Sequence, residues 1–188
     1  MKRLAIITVG KTHSGKTTFA KALEKKLDNA FVMDQDHHAA FINTHYKKLE
    51  PKQGPNTLKH AISKAIVRYA IDQTDYHIIS CNANRSAKGR KYLLEELYGE
   101  EKFIRIIVHF DLPDDVLFDR VTHSQRSTNI FRGPYTDFKE VLLGQQAESG
   151  IEDVADPEEG EADHLFVIKD SGEAESVIKK IVHLSRNI

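Results

Sequence analysis

The chain is predicted to fold as three layers: a five-stranded parallel sheet with helices on both faces. Short apolar runs alternate with segments of helical period, the order expected of βαβ units with right-handed crossovers. The first run, residues 4–9 (LAIITV), is nearly continuous, as in a strand buried on both faces. A glycine-bearing turn follows it directly and opens a helix. The 188 residues contain no internal repeat and suit a single domain spanning 1–188.

The elements follow in order. After the strand at 4–9, residues 16–27 have Phe19, Ala20, Leu23 and Leu27 on one helical face. Residues 31–33 form the second strand. Segment 34–54 is polar, has no clean period and is left unassigned. Residues 57–72 are helical, with Leu58, Ala61, Ile62, Ala65, Ile66, Tyr69 and Ala70 recurring at three and four. Residues 77–81 are the third strand. A helix over 88–98 stops at Gly99. Residues 103–110 are the fourth strand, and a helix over 113–121 carries Pro113 in its first turn. Asp111 is expected to cap that helix or mark its turn. A polar, arginine-bearing loop, 122–135, is the candidate lid, and 138–147 is helical. The acidic stretch 156–163, with Pro157 and Gly160, is expected to be a solvated connector. Strand 165–168 and helix 173–184 complete the pattern.

Composition excludes several classes. A hydrophobic fraction of 40% and a charged fraction of 29% are those of a globular chain, not a disordered one. A formal net charge of −1 gives no general attraction to nucleic acid or an anionic membrane. The single cysteine, Cys81, excludes an internal disulfide and a cysteine-rich zinc site, and suits a reducing compartment. Run 4–9 is too short for a signal peptide and is followed by Gly-Lys. No apolar stretch approaches the roughly 20 residues that cross a bilayer. A soluble, cytoplasmic protein with no membrane partner is expected; the sequence is silent on oligomeric state.

One motif is specific. Gly10-Lys11-Thr12-His13-Ser14-Gly15-Lys16-Thr17 matches G-x-x-x-x-G-K-[ST] at every fixed position, between a buried strand and a helix start. Gly10 and Gly15 let the backbone curl with its N–H groups inward as an anion nest, and the helix N-terminus adds a positive dipole end. Lys16 reaches β- and γ-phosphates, the Thr17 hydroxyl ligates Mg²⁺, and Thr18 supports the α-phosphate. His13 is expected to face solvent or the nucleotide base. Thr12, His13 and Ser14 complete the cofactor-binding set.

Other residues select the reaction class. No Asn-Lys-x-Asp string reads guanine, and the third strand ends in Ser80-Cys81 where a motor ATPase has an acid. A small-molecule kinase needs a carboxylate at the acceptor hydroxyl, cations on the transferring group and a lid. Asp34 and Asp36 follow the second strand, at the sheet edge that holds the phosphate loop. Asp36 is the favoured base, with Asp34 the open alternative. Among Arg120, Arg126 and Arg132, the lid arginine is expected to be Arg126, then Arg132; Arg120 fits an exposed helix position equally well.

Taken in order, GKTHSGKTT, Met33-Asp34-Gln35-Asp36, the stretch from Ile78 to Asn84 with Arg90 following, and His109-Phe110-Asp111-Leu112-Pro113 with Arg120 and Arg126 resemble a known family. It is the P-loop kinase group of polynucleotide 5′-hydroxyl, gluconate, nucleoside and zeta-toxin kinases, and the likeness spans 1–147. The resemblance implies a P-loop NTPase fold with strand order 2-3-1-4-5, ATP and Mg²⁺ as cofactors, Asp36 as general base, Arg126 on the donor phosphates and Asn82–Asn84 on the acceptor side. Two departures stand out. Cys81 replaces an Asp usual at the end of the third strand, and His37-His38-Ala39-Ala40 lacks the arginine used on a polynucleotide's acceptor phosphate. Both argue against a nucleic-acid 5′ end and leave ATP-dependent transfer to a small nucleoside-, nucleotide- or sugar-like acceptor. The alternatives are a nucleotide-dependent switch with slow ATP or GTP hydrolysis, and a nucleoside monophosphate kinase.

Weaker signals take plainer readings. His37, His38 and His45 suit a polar loop better than a metal site. Arg85, Lys88, Arg90 and Lys91 form a basic cluster that is either a solvated helix face or a contact for an anionic acceptor. Cys81 reads as inert packing, with a position that lets it line the crevice.

Overall fold

In the computed structural model, residues 2–133, 135–151 and 153–188 are described; the expected lid 122–135 therefore includes one residue, 134, outside them. Five strands, β1 (Arg3–Gly10), β2 (Ala30–Asp34), β3 (His77–Cys81), β4 (Phe103–Phe110) and β5 (His164–Ile168), form one parallel sheet in the order β2-β3-β1-β4-β5. Among the described residues, seven α-helices connect or follow them: α1 (Lys16–Glu24), α2 (Gln35–His45), α3 (Thr57–Gln73), α4 (Ala87–Tyr92), α5 (Asp114–Thr122), α6 (Phe138–Ala147) and α7 (Ala174–Ser185). The order is the expected one, and helices cover both faces.

Strand parity divides the core. Leu4 and Ile6 of β1, Ile79 and Cys81 of β3, and Ile106, Val108 and Phe110 of β4 point to the face covered by α1, α5, α6 and α7, where Phe19, Leu23, Leu117, Leu142 and Ile181 close the layer. Ala5, Ile7 and Val9 with Met33, Ile78 and Ile107 point to the opposite face, under Val67 and Ala70 of α3 and Leu94 and Tyr98 after α4. All of β1 beyond its first residue is buried, as a central parallel strand requires. Arg3 ties this layer to α3: its guanidinium donates to the carbonyls of Ala70, Ile71 and Thr74 at the C-terminal end of that helix.

Several boundaries differ from expectation. The unassigned stretch 34–54 contains α2 and a 3₁₀ turn at Lys47–Leu49. The helix buries only Ala39 and Ile42, too little to leave an apolar period in the sequence. Its N-cap is Asp34, whose side chain accepts from the Asp36 amide at 2.9 Å. The helix expected over 88–98 is regular only to Tyr92 and widens into a π turn over Leu93–Leu97. That turn delivers Tyr98 into the core, its hydroxyl 2.5 Å from Ser80 Oγ. Asp111 does not cap α5: Pro113 holds the N-cap position, and Asp114 and Asp115 supply the acid of the first turn.

The acidic connector is not merely solvated. Glu161 meets the buried Arg90 at 2.6 Å, and Asp163 meets Arg105 at 3.0 Å and takes its backbone N–H at 2.7 Å. Arg90 also donates to the carbonyls of Asn84, Arg85 and Ala155, and is 1% exposed. A buried guanidinium needs this many partners. Half of the basic cluster is thereby structural: Arg85 is likewise committed to the Gln145 carbonyl and Ser149 Oγ. No helix among the described residues is long and apolar enough to cross a membrane.

Candidate active site

The phosphate loop is built by close backbone approach. Gly10 sits at φ 147°, and a Cβ there would lie 2.8 Å from the Phe110 carbonyl oxygen. Only glycine fits. Gly15, at φ 100°, is the N-cap of α1 and offers no side chain, so the helix's first amides are not capped by one. The Lys16 ammonium donates to the Lys11 carbonyl at 2.5 Å and to Ser14 Oγ at 3.0 Å, lying within the curl of the loop. Burial brings that amine down to about 8, against the opposing pull of Cys81 and Asp36.

His13 lines the cleft and is half-buried, not open to solvent. Its backbone is left-handed at φ 58°. Its ring stands edge-on to Phe138 at 4.7 Å, with Nε2 2.7 Å from Ser124 Oγ. Burial, followed by Arg126, Lys16 and Arg120, lowers the imidazole to about 4, so it is neutral near pH 7. The Thr12 amide donates to Gln145 Oε1 of α6 at 2.7 Å. Thus α6 reaches the loop through Phe138 and Gln145, and the segment between α5 and α6 through Ser124.

The acidic side is set by register. Asp34 pairs with Cys81 across β2 and β3, and parity turns both toward α1. Thr17 Oγ1 lies 3.5 Å from Asp34 Oδ2 and 3.6 Å from Cys81 Sγ. Asp34 is 4% exposed, whereas Asp36, two residues along, has a side chain 36% exposed and paired with Arg126. Burial, then Asp34, pushes the Cys81 thiol up to about 11, so it stays protonated and inert as a nucleophile.

The arginines separate. Arg126 lies between Asp36 and the Phe138 ring, 5.1 Å from its centroid. Arg120 donates to the His13 carbonyl at 3.0 Å and to Ser171 Oγ at 2.6 Å, which makes it part of the loop's surroundings rather than an open helix face. Arg132 points elsewhere, donating to the Pro51 carbonyl at 2.9 Å and to that of Gly54. A cleft of about 630 Å³ collects every predicted binding or catalytic residue except Gly10, Ser14, Asn84 and Arg132. Arg120, Phe138 and Gln145 line it too. Arg120 was legible as a cation near the lid; Phe138 and Gln145 read as ordinary helix positions. Among the described residues no cluster of three or more His, Cys, Asp or Glu is placed to hold a metal. Of the histidines of α2, His38 goes to packing, its Nδ1 2.7 Å from Ser63 Oγ, while His37 and His45 are exposed.

No family model matches the chain, and no curated protein matches it. Solved structures do. A putative kinase from Chloroflexus aurantiacus aligns with TM-score 0.65 at 14% identity, covering 100% of this chain and 98% of its own. A gluconokinase from Sinorhizobium meliloti gives 0.58 at 13% identity, covering 99% and 97%. A shikimate kinase from Bacteroides thetaiotaomicron gives 0.56 at 17% identity, covering 96% and 97%. At these identities the likeness is one of fold, and the fold is that of the small P-loop kinases.

Proposed function

We propose that the protein is an ATP- and Mg²⁺-dependent phosphotransferase that moves the γ-phosphoryl group to a hydroxyl of a small nucleoside-, nucleotide- or sugar-like acceptor. The carrying observation is that the Lys16 ammonium, the Thr17 hydroxyl and the Asp36 carboxylate line one cleft at the carboxyl ends of the strands. The names of the fold neighbours, gluconokinase and shikimate kinase among them, support the class. Motif order favours the polynucleotide 5′-hydroxyl, gluconate and zeta-toxin group within it. Cys81 and the arginine-free stretch 37–40 favour a small molecule over a nucleic-acid 5′ end. The protein acts as one domain over 1–188, in the cytoplasm, with 122–135 as its lid.

The acceptor oxygen attacks the γ-phosphorus, the bond to the ADP oxygen breaks, and the hydroxyl proton passes to Asp36. Lys16 and the uncapped amides at the start of α1 hold the donor phosphates, with Thr18 on the α-phosphate and Arg120 beside the loop. Arg126 leaves Asp36 for the phosphoryl oxygens as donor and acceptor bind, which frees the base at the moment it is needed. Arg132 keeps to the turn that ends at Gly54 and takes no part.

A hard cation fits the site: Thr17 Oγ1 and Asp34 Oδ2 are oxygen donors 3.5 Å apart, and the sulfur of Cys81 beside them is too soft to compete for it. Mg²⁺ bound there would neutralise charge on the β- and γ-phosphate oxygens. Asp34 is therefore the cation-side carboxylate and Asp36 the base. Incubation with Mg-ATP, with and without nucleosides, sugars, nucleoside monophosphates and 5′-hydroxyl oligonucleotides, tests the reading by ADP formation. Stimulation by one acceptor, with phosphate recovered on it, supports a kinase. Slow phosphate release that no acceptor stimulates would replace it with a nucleotide switch.

A further inference from the structure

A second cavity, about 550 Å³, lies on the opposite face of the sheet's upper edge, between α3 and α4. Parity explains why there are two. Asp34 and Cys81 point into the first cleft, and their neighbours Met33 and Ser80 form the floor of the second. Asn82, just past the tip of β3, lines both. Its amide donates to Gln35 Oε1 at 2.9 Å, and Gln35 precedes Asp36 in the chain. The two cavities thus meet at Asn82, and Gln35, which Asn82 holds, lines the second while its chain neighbour Asp36 lines the first.

Its lining is selective. Met33, Val67, Leu93 and Leu97 supply apolar floor and wall, and Tyr92 stands at the edge, 40% exposed, with Lys64 Nζ 5.2 Å from its ring centroid. The Asn82–Gln35 pair leaves one amide oxygen (Asn82 Oδ1) and one amide nitrogen (Gln35 Nε2) with no other side-chain hydrogen bond among the described residues. The Arg85 guanidinium at the rim is already committed to Gln145, Ser149 and Glu148. Ser63, Ser80 and Ser86 in the lining are bonded to His38, Tyr98 and Asp153, so a polyhydroxy acid would find few partners besides the amides, His60 and the Lys64 ammonium at the edge, and would bury most of its hydroxyls against hydrocarbon. A flat ring with a donor–acceptor edge satisfies the amides and covers the apolar floor.

We propose that the second cavity holds the body of the acceptor and that this body is an uncharged planar heterocycle with an amide-type edge, as in a nucleoside. The inference rests on the proposed phosphotransfer and narrows its substrate; it sets the acceptor apart from the gluconate and shikimate named by two of the fold neighbours.

The test is calorimetric titration of the full chain with adenosine, cytidine and gluconate, the donor site being saturated with Mg-AMPPNP. Wild type is compared with Tyr92→Ala and Gln35→Ala, whose folding is checked by thermal melting. At least one nucleoside is expected to bind saturably, and Tyr92→Ala to weaken it roughly 5- to 100-fold. No nucleoside binding, or binding that neither substitution changes, overturns the inference. A parallel Mg-ATP assay separates the two ideas. Nucleoside binding that Tyr92→Ala weakens, without phosphate transfer, keeps the cavity assignment and removes the phosphotransfer reading. Gluconate phosphorylation without nucleoside binding does the reverse.

Discussion

The two halves of the cleft are made differently. The donor half is backbone: a strand buried along its length, a glycine under a carbonyl, an uncapped helix start, and one lysine lying in the loop. The acceptor and lid half is side chains brought from distant segments: Asp36 against Arg126, Asn43 against the carbonyls of Asn129 and Phe131, and Arg132 against those of Pro51 and Gly54. Backbone curvature over eight residues is a local property that one motif specifies. Pairings across about 80–90 residues depend on the whole fold.

The largest expected effect falls on the donor half. Lys16→Ala should cut turnover by more than about 10³-fold, because phosphoryl transfer here is positioning and charge stabilisation with little other chemistry. The ammonium's partners are a carbonyl and a hydroxyl of its own loop, so the fold should survive. ADP formation under saturating ATP and a melting curve read the two separately. Turnover retained by a folded variant would remove Lys16 from the chemistry.

Next comes Asp36→Asn. A general base contributes about 10²–10⁴-fold. Loss of about 10²–10³ in kcat is expected with the affinity for Mg-ATP kept, since Asp36 touches the lid and not the phosphate loop. If the same substitution weakened nucleotide binding as strongly as turnover, Asp36 would belong to the donor half and the contrast would fail.

What the sequence disclosed follows the same division. Strand positions and the loop were legible because continuous apolar runs and a glycine-lysine spacing are dictated by nearby chemistry, whereas the sheet order came only from the family resemblance. α2 was not, since it covers little core and its N-cap, Asp34, also read as a functional acid. His13 looked like an exposed loop residue because Phe138 and Ser124, which hold it, lie more than 100 positions away. Glu161 and Asp163 read as solvated acids until Arg90 and Arg105 were placed beside them. In each case the missing information was a tertiary partner, and none of these partners recurs at a spacing that periodicity detects.

His13 carries the contrast into pH. Its imidazole is lowered from 6.5 to about 4, by burial first and then by Arg126, Lys16 and Arg120. The unfolded chain takes up this proton as pH falls through 6.5, the folded chain only near 4. The residue's contribution to stability is therefore complete above pH 6.5 and is lost progressively between 6.5 and 4. Melting temperature measured over that window should fall less steeply in His13→Asn than in the wild type. Parallel curves would mean that the ring takes its proton in place, and that the contact with Phe138 does not seal it.

The next effect is structural. Gln145→Ala removes the acceptor of the Thr12 amide, one hydrogen bond worth about 1 kcal/mol, or a fall of roughly 2–4 °C in Tm for a chain of this size. ATP should recover much of that loss, because a donor phosphate offers the same amide a new acceptor.

Arg132→Ala should do least. Its guanidinium donates to two carbonyls of the turn that ends at Gly54 and does not line the donor cleft, so nucleotide affinity should stay within about twofold by titration. Proteolysis near Gly54 should quicken, because these bonds join the turn to the lid segment across about 80 residues, and exposed turns without such ties open readily. A large loss of nucleotide affinity would mean that the lid carries Arg132 from the turn to the phosphates. The donor half would then also depend on long-range side chains, and the difference between the two halves would be one of degree.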